Sequence, residues 1–308
     1  MGIKILSDFD GVWTDQALEA ESVLIFLASE AARMAGVSPD RAREDFRAFE
    51  ERVQERPSEF GWAPDGRITA YVDEDPFCVS NAVASYIDAA IGDARAALYR
   101  EAIVAGGDHD LTRFADRCFA TATLDHRRQH PPALVAGARG VAEDLAAAGA
   151  EVVVVSNSPA EKITGWFAEV GVHAAEHAGG LLRVRGEAGK QVLGDSGDRI
   201  AVGGRPILVD RPRYRAAIEE EDPDLVIGDV FSLDLALPHV MRREGNPAAP
   251  SKLILRRHPH TPRWVLDTRA GGAIDVVVDD VAELLGLVRG PAGPDCSAPQ
   301  QTGDPIAP

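Results

Sequence analysis

The chain has 308 residues, enough for one large domain or two ordinary ones. Hydrophobic residues make up 45% and charged residues 26%, an ordinary soluble composition, while the formal net charge is −17. With no basic surplus to neutralise phosphates, nucleic acid and anionic membranes are excluded as expected partners, and an anionic substrate would need a metal or a few well-placed cations.

The first apolar run, Ile3–Ser7, begins almost at once, so no room is expected for a signal peptide. No apolar run approaches the roughly 18 residues of a membrane span. Cys78, Cys118 and Cys296 are odd in number and far apart, with neither disulfide nor metal-ligand spacing. A cytoplasmic protein is the expectation.

Ile3–Ser7 reads as a strand, and Asp8-Phe9-Asp10-Gly11-Val12-Trp13-Thr14-Asp15 follows it. Asp8 and Asp10 then sit at the carboxyl end of that strand, where open α/β sheets place ligand sites. Gly11 permits a sharp backbone turn. Two carboxylates so close repel, and a divalent cation between them is the usual remedy, although Asp-x-Asp by itself also fits a surface turn.

From Gln16 to Arg128 no valine-rich strand run occurs. Val23, Leu24, Leu27, Ala31 and Met34 mark one amphipathic helix, and Ser38-Pro39 starts another with Phe46, Phe49 and Val53 along one side. Further helical stretches are predicted over Asn81–Ile91, Ala94–Val104 and Leu111–Ala120. Phe60 to Arg67 is expected to be a turn-rich loop. A mostly helical insert over residues 17–127 therefore separates the first strand from the rest of the sheet.

After the insert, Leu134–Ala148 reads as a helix stopped by Gly149, and Glu151–Ser156 as a strand buried on both faces. Ser158-Pro159-Ala160-Glu161 has the form of a capping box, with Ile163, Trp166, Phe167 and Val170 as the buried stripe of the helix it opens. Strands are also predicted at Leu225–Gly228, Leu253–Arg256 and Ile274–Val278. Residues 289–308, rich in Pro and Gly, are expected to be disordered. The alternation of strand and helix predicts an α/β fold, a Rossmann-like doubly wound parallel sheet over residues 1–16 and 128–288 carrying a mostly α-helical cap domain.

Two further strand ends carry polar residues. Ser156-Asn157-Ser158 precedes a helix amino terminus, which supplies a hydroxyl and free N–H groups for an anion. Gly228-Asp229-Val230-Phe231-Ser232-Leu233-Asp234 places Asp229 at another strand end, with Asp234 about a turn beyond. Each also fits an ordinary strand-to-helix turn. His258-Pro259-His260 reads as a loop, and Glu219-Glu220-Glu221-Asp222 as a solvated helix end.

Together, Asp8 to Thr14, Ser156 and Gly228 to Asp234 resemble, in order and spacing, the first, second and fourth motifs of the haloacid dehalogenase superfamily. The insert lies where that superfamily places a helical cap. The resemblance implies a magnesium-dependent phosphatase acting on a small phosphorylated metabolite through an aspartyl phosphate. It implies Asp8 as nucleophile, Asp10 as general acid and base, and Ser156 as a phosphoryl ligand, with Asn157 and Gly11 beside the substrate. Mg2+ would be held by Asp8, the Asp10 carbonyl, Asp229 and Asp234. The carboxyl at Asp10 points away from dehalogenation and phosphonate cleavage. The basic third motif departs from the usual pattern: Arg211-Pro212 is the preferred match, with Lys190, in a strand-like stretch, and Arg213 as competitors. Trp62, Arg67 and Tyr71 are candidate substrate contacts from the cap. A phosphomutase and a catalytically inactive binding module on the same fold are the alternatives. A homo-oligomer is compatible with the sequence.

Overall fold

The computed structural model describes residues 2–89 and 92–289. The first strand, β1, is Lys4–Ser7. Five helices follow: α1 Ala17–Ala35, α2 Pro39–Gln54, α3 Cys78–Ala89, α4 Ala94–Ala105 and α5 Leu111–Gln129. Between α2 and α3, the expected loop contains a two-stranded antiparallel ribbon, β2 Gly61–Trp62 and β3 Ala70–Tyr71. The chain continues through α6 Ala138–Ala147, β4 Glu151–Val155, α7 Ala160–Glu169, β5 Ala174–Ala175 and β6 Leu182–Arg185. A hairpin of β7 Arg199–Val202 and β8 Arg205–Leu208 leads to α8 Pro212–Glu221. Then come β9 Leu225–Gly228, a π-helical turn Phe231–Leu235, α9 Ala236–Glu244, β10 Lys252–Arg256 and β11 Val276–Val278.

Seven strands form one sheet in the order β11-β10-β9-β1-β4-β6-β5, every neighbouring pair parallel. The predicted doubly wound sheet is therefore present, with β1 at its centre. From β1 the chain lays down β4, β5 and β6 on one side and β9, β10 and β11 on the other, which makes the carboxyl end of β1 the topological switch point. Alternate residues face opposite layers. Ile5, Val152, Val154 and Ile227 join one core with Phe9 and Phe167, while Leu6, Val153, Val155 and Val226 join another with Tyr214 and Phe231. Burial on both faces is why these strands are continuous apolar runs.

The helices α1 to α5 enclose an apolar cluster of their own around Leu27, Phe46, Phe49, Val83 and Tyr99. Val230 and Leu233, from the turn after β9, extend into that cluster. The expected start of α2 is present: Pro39 occupies the first turn and Ser38 accepts a hydrogen bond from the Arg41 amide. α5 runs to Gln129, past the expected end of the insert at 127. The predicted helix over Asn81–Ile91 ends, as far as it is described, at Ala89, with Ile91 outside the described residues. Of the predicted disordered tail 289–308, Arg289 instead ends a helix, Leu284–Arg289, and the rest, with Cys296, lies outside the described residues. Cys78 and Cys118 are buried free thiols. Among the described residues, no helix is long and apolar enough to cross a membrane.

Three expectations are corrected. The capping box before α7 does not form: Ser158 Oγ donates to Asp10 Oδ2 at 2.6 Å instead of capping, and Pro159 takes the N-cap position without a side-chain bond. Lys190 lies in a turn after β6 rather than in a strand. Glu221 is turned inward, where it meets Arg183, rather than solvated.

Candidate active site

Asp8 leaves β1 with its amide bonded to the Ile227 carbonyl at 2.9 Å, so the strand pairing itself fixes the start of the Asp-x-Asp segment. Gly11, at φ 75°, turns the backbone next, and the Gly11 amide donates to Thr14 Oγ1 at 3.1 Å. A Cβ at Gly11 would stand 2.0 Å from Asp229 Oδ2, so this position must lack a side chain for the two strand ends to approach. His258 Nε2 closes the same corner, 2.6 Å from the Gly11 carbonyl and 3.6 Å from Asp229 Oδ2. Burial, aided by the charge of Arg256, pulls the His258 pKa down to about 4, so a neutral ring donates this bond near pH 7.

The strand ends converge on a cavity of about 160 Å3, small beside the roughly 300–1,000 Å3 of ordinary ligand pockets. Its floor is formed by Asp8, Asp10, Ser156, Asn157, Lys190, Asp229 and Asp234. Trp62, Phe77, Phe119 and Arg127 line it from the helical insert. One carboxylate oxygen from each of Asp8, Asp229 and Asp234 lies within 4.8 Å of the other two. Burial and this crowding push the Asp8 carboxyl up to about 7 and the Asp229 carboxyl well above its ordinary range. Asp229 Oδ1 is buried and accepts no hydrogen bond. An all-oxygen donor set, an orphaned carboxylate oxygen and surplus negative charge together fit a hard divalent cation such as Mg2+. Asp234 has less to offer one, because Val230 N (3.1 Å) and Lys190 Nζ (2.8 Å) already occupy its two oxygens.

Lys190 is the basic residue at this site. Its Nζ stands 2.8 Å from both Asp8 Oδ1 and Asp234 Oδ1. Burial works against its charge, but the two carboxylates outweigh that and hold its pKa above the usual lysine range. The preference for Arg211 is thereby corrected. Its buried guanidinium turns away from the cavity and donates to the carbonyls of Leu208, Lys190 and Thr69, which ties the Lys190 turn and β8 to the insert. Arg213 likewise bonds the Glu187 carbonyl at 2.8 Å. The Lys190 amide donates to Asn157 Oδ1 at 2.8 Å, so Asn157 orients the lysine turn from the cavity floor.

Among the proposed insert contacts, Trp62 lines the cavity. Arg67 does not: it pairs with Asp65 and reaches the Gly194 carbonyl at 2.7 Å. Tyr71 packs on Trp264 and donates to the Pro206 carbonyl at 2.7 Å.

Sequence reasoning missed a chain of charges around Asp10. Lys162 Nζ lies 2.7 Å from Asp10 Oδ1 and 3.2 Å from Glu19 Oε2, and Arg127 Nε lies 3.3 Å from Glu19 Oε1. Burial would raise the Asp10 carboxyl, but Lys162 and the Ser158 hydroxyl outweigh it and hold Asp10 below the usual carboxylate range. The available signal for Lys162 was its place in the first turn of α7, one residue before the apolar stripe. Gln16 Nε2 donates to Asp229 Oδ2 at 3.2 Å, and buried Asp75 also lines the cavity. His258, read as a loop residue, belongs to the site's edge.

No protein-family model and no curated protein matches this sequence. Solved structures with a similar chain path include a 2-haloacid dehalogenase from Pseudomonas syringae pv. Tomato DC3000, 17% identical over 92% of this chain and 96% of that one, with a TM-score of 0.42. CbbY from Rhodobacter sphaeroides in complex with phosphate is 13% identical over 92% and 96%, with a TM-score of 0.46. A predicted phosphoglycolate phosphatase from Haemophilus somnus 129PT is 13% identical over 93% and 97%, with a TM-score of 0.48.

Proposed function

We propose that this chain is a phosphatase of the haloacid dehalogenase superfamily, releasing phosphate from a small phosphorylated metabolite with Mg2+ as cofactor. One observation carries the reading. Asp8, Ser156, Lys190 and Asp229, from the ends of β1, β4 and β9 and the turn after β6, line a single cavity at the switch point of the sheet.

In the first half-reaction an Asp8 oxygen attacks phosphorus, and the bond from phosphorus to the ester oxygen breaks. The electron pair leaves on that oxygen, to which Asp10 gives a proton. Water then attacks the phosphorus of the aspartyl phosphate and passes a proton to Asp10, and Asp8 departs as a carboxylate. The Lys162 and Ser158 bonds favour the carboxylate form of Asp10, so the proton it gives in the first half must enter with the phosphomonoester or from solvent, and the proton taken from water in the second half restores it. Ser156 Oγ, which accepts from the Ser158 amide at 3.1 Å, faces the transferring oxygens, and Lys190 offsets their charge.

Mg2+ would be held by Asp8, the Asp10 carbonyl and Asp229, beside Asp234, and when bound it screens the repulsion between a carboxylate nucleophile and a phosphate. At about 4 Å two like unit charges repel by roughly 4 kcal/mol at an effective dielectric near 20. The helices α1 to α5 serve as the cap, covering the cavity and excluding water from the nucleophile.

The test is phosphate release from an aryl phosphate with Mg2+ by the native chain and by Asp8→Asn. Activity that vanishes in a folded Asp8→Asn variant supports the reading, and full activity in that variant refutes it.

A further inference from the structure

The cavity lining has a composition that restricts what can leave. Three aromatic rings form one wall: Trp62 and Phe119 have centroids 5.4 Å apart, and Phe77 and Phe119 5.5 Å. Two hydrogen-bond acceptors, Asp75 and Gln191, also line the cavity. Asp75 is buried, its carboxylate receiving the Phe77 amide and the Cys78 thiol. Gln191 Oε1 is buried with no donor near it. The unpartnered Gln191 oxygen calls for a hydroxyl group on the ligand, because a buried acceptor left unmatched is costly.

The charges argue in the same direction. The cations lining the cavity are Lys190, Lys162 and Arg127. Lys190 is held by Asp8 and Asp234, Lys162 by Asp10 and Glu19, and Arg127 by Glu19. The chain Asp10–Lys162–Glu19–Arg127 balances two carboxylates with two cations, and Asp75, whose carboxyl burial pushes up to about 7, adds no cation and only part of a negative charge near neutral pH. Among the described lining residues, no cation lacks a carboxylate partner with which to greet a second anion.

We propose that this cavity selects phosphomonoesters whose leaving group is small, uncharged and hydroxylated, and rejects those bearing a second anionic group. The selection rests on the phosphatase reading above and adds the chemistry of the leaving group. The aromatic wall takes the apolar C–H face of such a group, while the unpartnered Gln191 oxygen accepts from a hydroxyl. A carboxylate or second phosphate in the same place would face Asp75 and Glu19.

Glycerol 3-phosphate and 3-phosphoglycerate test this directly, since they differ by a terminal hydroxymethyl against a carboxylate. With the full chain and Mg2+, kcat/KM is expected to be at least tenfold higher for glycerol 3-phosphate. Asp75→Asn should shrink that preference at least threefold by improving turnover of 3-phosphoglycerate. Gln191→Leu, at a half-buried turn, should raise KM for glycerol 3-phosphate more than for phenyl phosphate, which has no hydroxyl. Equal or reversed preference in the native chain overturns the proposal, as does a Gln191→Leu effect that is the same on both esters. Absence of Asp8-dependent release from all three esters removes the phosphatase reading and the proposal together.

Discussion

Lys162 Nζ sits 2.7 Å from Asp10 Oδ1, and the same ammonium reaches Glu19 on the first helix of the insert. One buried cation thus joins the proposed acid–base residue to the element that begins the cap. Its side chain is 3% exposed, and its charge also lies 4.9 Å from the centre of the Trp166 ring.

Removing that cation leaves Asp10 without one and Glu19 with Arg127 alone. Lys162→Met should therefore destabilise the fold by about 3–5 kcal/mol, the usual cost of breaking a buried pair from one side. It should also lower kcat more than it raises KM, because Asp10 loses the partner that orients it. Urea unfolding and steady-state kinetics on the same preparation check both. A variant with native stability and native kcat contradicts the positioning role.

Lys190 and Arg211 should separate cleanly. Lys190→Ala removes the cation beside the nucleophile and is expected to lower kcat/KM by about 10²–10³ in a chain that still folds. Arg211→Lys keeps a charge but loses the three-carbonyl fork, so its loss is expected in stability, about 1.5–3 kcal/mol, with kcat little changed in the folded fraction. The opposite pattern would return the basic role to Arg211.

Gly11→Ala places a methyl against the Asp229 carboxylate at a backbone position with positive φ. Asp229 must then move. The Mg2+ concentration giving half-maximal activity should rise at least tenfold, with about 1–2 kcal/mol lost from stability. An unchanged Mg2+ dependence would separate Asp229 from the metal.

Glu74 links stability to pH. It accepts hydrogen bonds from the Ser232 amide and hydroxyl and the Tyr71 amide, and burial pushes its carboxyl from 4.5 to about 7. The folded state holds this proton more tightly than the unfolded chain. Its contribution is full below about 4.5, falls as pH rises, and is gone above about 7. Between pH 5 and pH 8 the urea midpoint of the native chain should fall more than that of Glu74→Gln. Parallel curves would contradict the assignment.

Much of the fold was legible because both-face burial writes itself as apolar runs. Leu225–Gly228 matches its predicted bounds, and β1, β4 and β10 fall within a residue of theirs at either end. The two-residue β5 and the alternating Leu182–Arg185 carry no such run, and the β7–β8 hairpin lies outside the main sheet. At the site, local order was enough to bring Asp8, Ser156 and Asp229 together, because each directly follows its own strand, with Asp234 in the turn after Asp229. Lys190 was harder to choose: it reaches Asp8 from a turn, and only tertiary packing turns Arg211 toward carbonyls. Glu19, Asp75 and Lys162 owe their place to the docking of helices far apart in the chain, which no spacing records.

The central claim is that Asp8 carries the phosphoryl group during turnover. Acid quenching of the chain during turnover with glycerol 3-phosphate and Mg2+, followed by borohydride reduction, would convert an acyl phosphate at that position into homoserine readable by peptide mass spectrometry. Homoserine at position 8 is expected, and its absence from a chain quenched while it is turning over, or its appearance at another aspartate instead, would contradict the account.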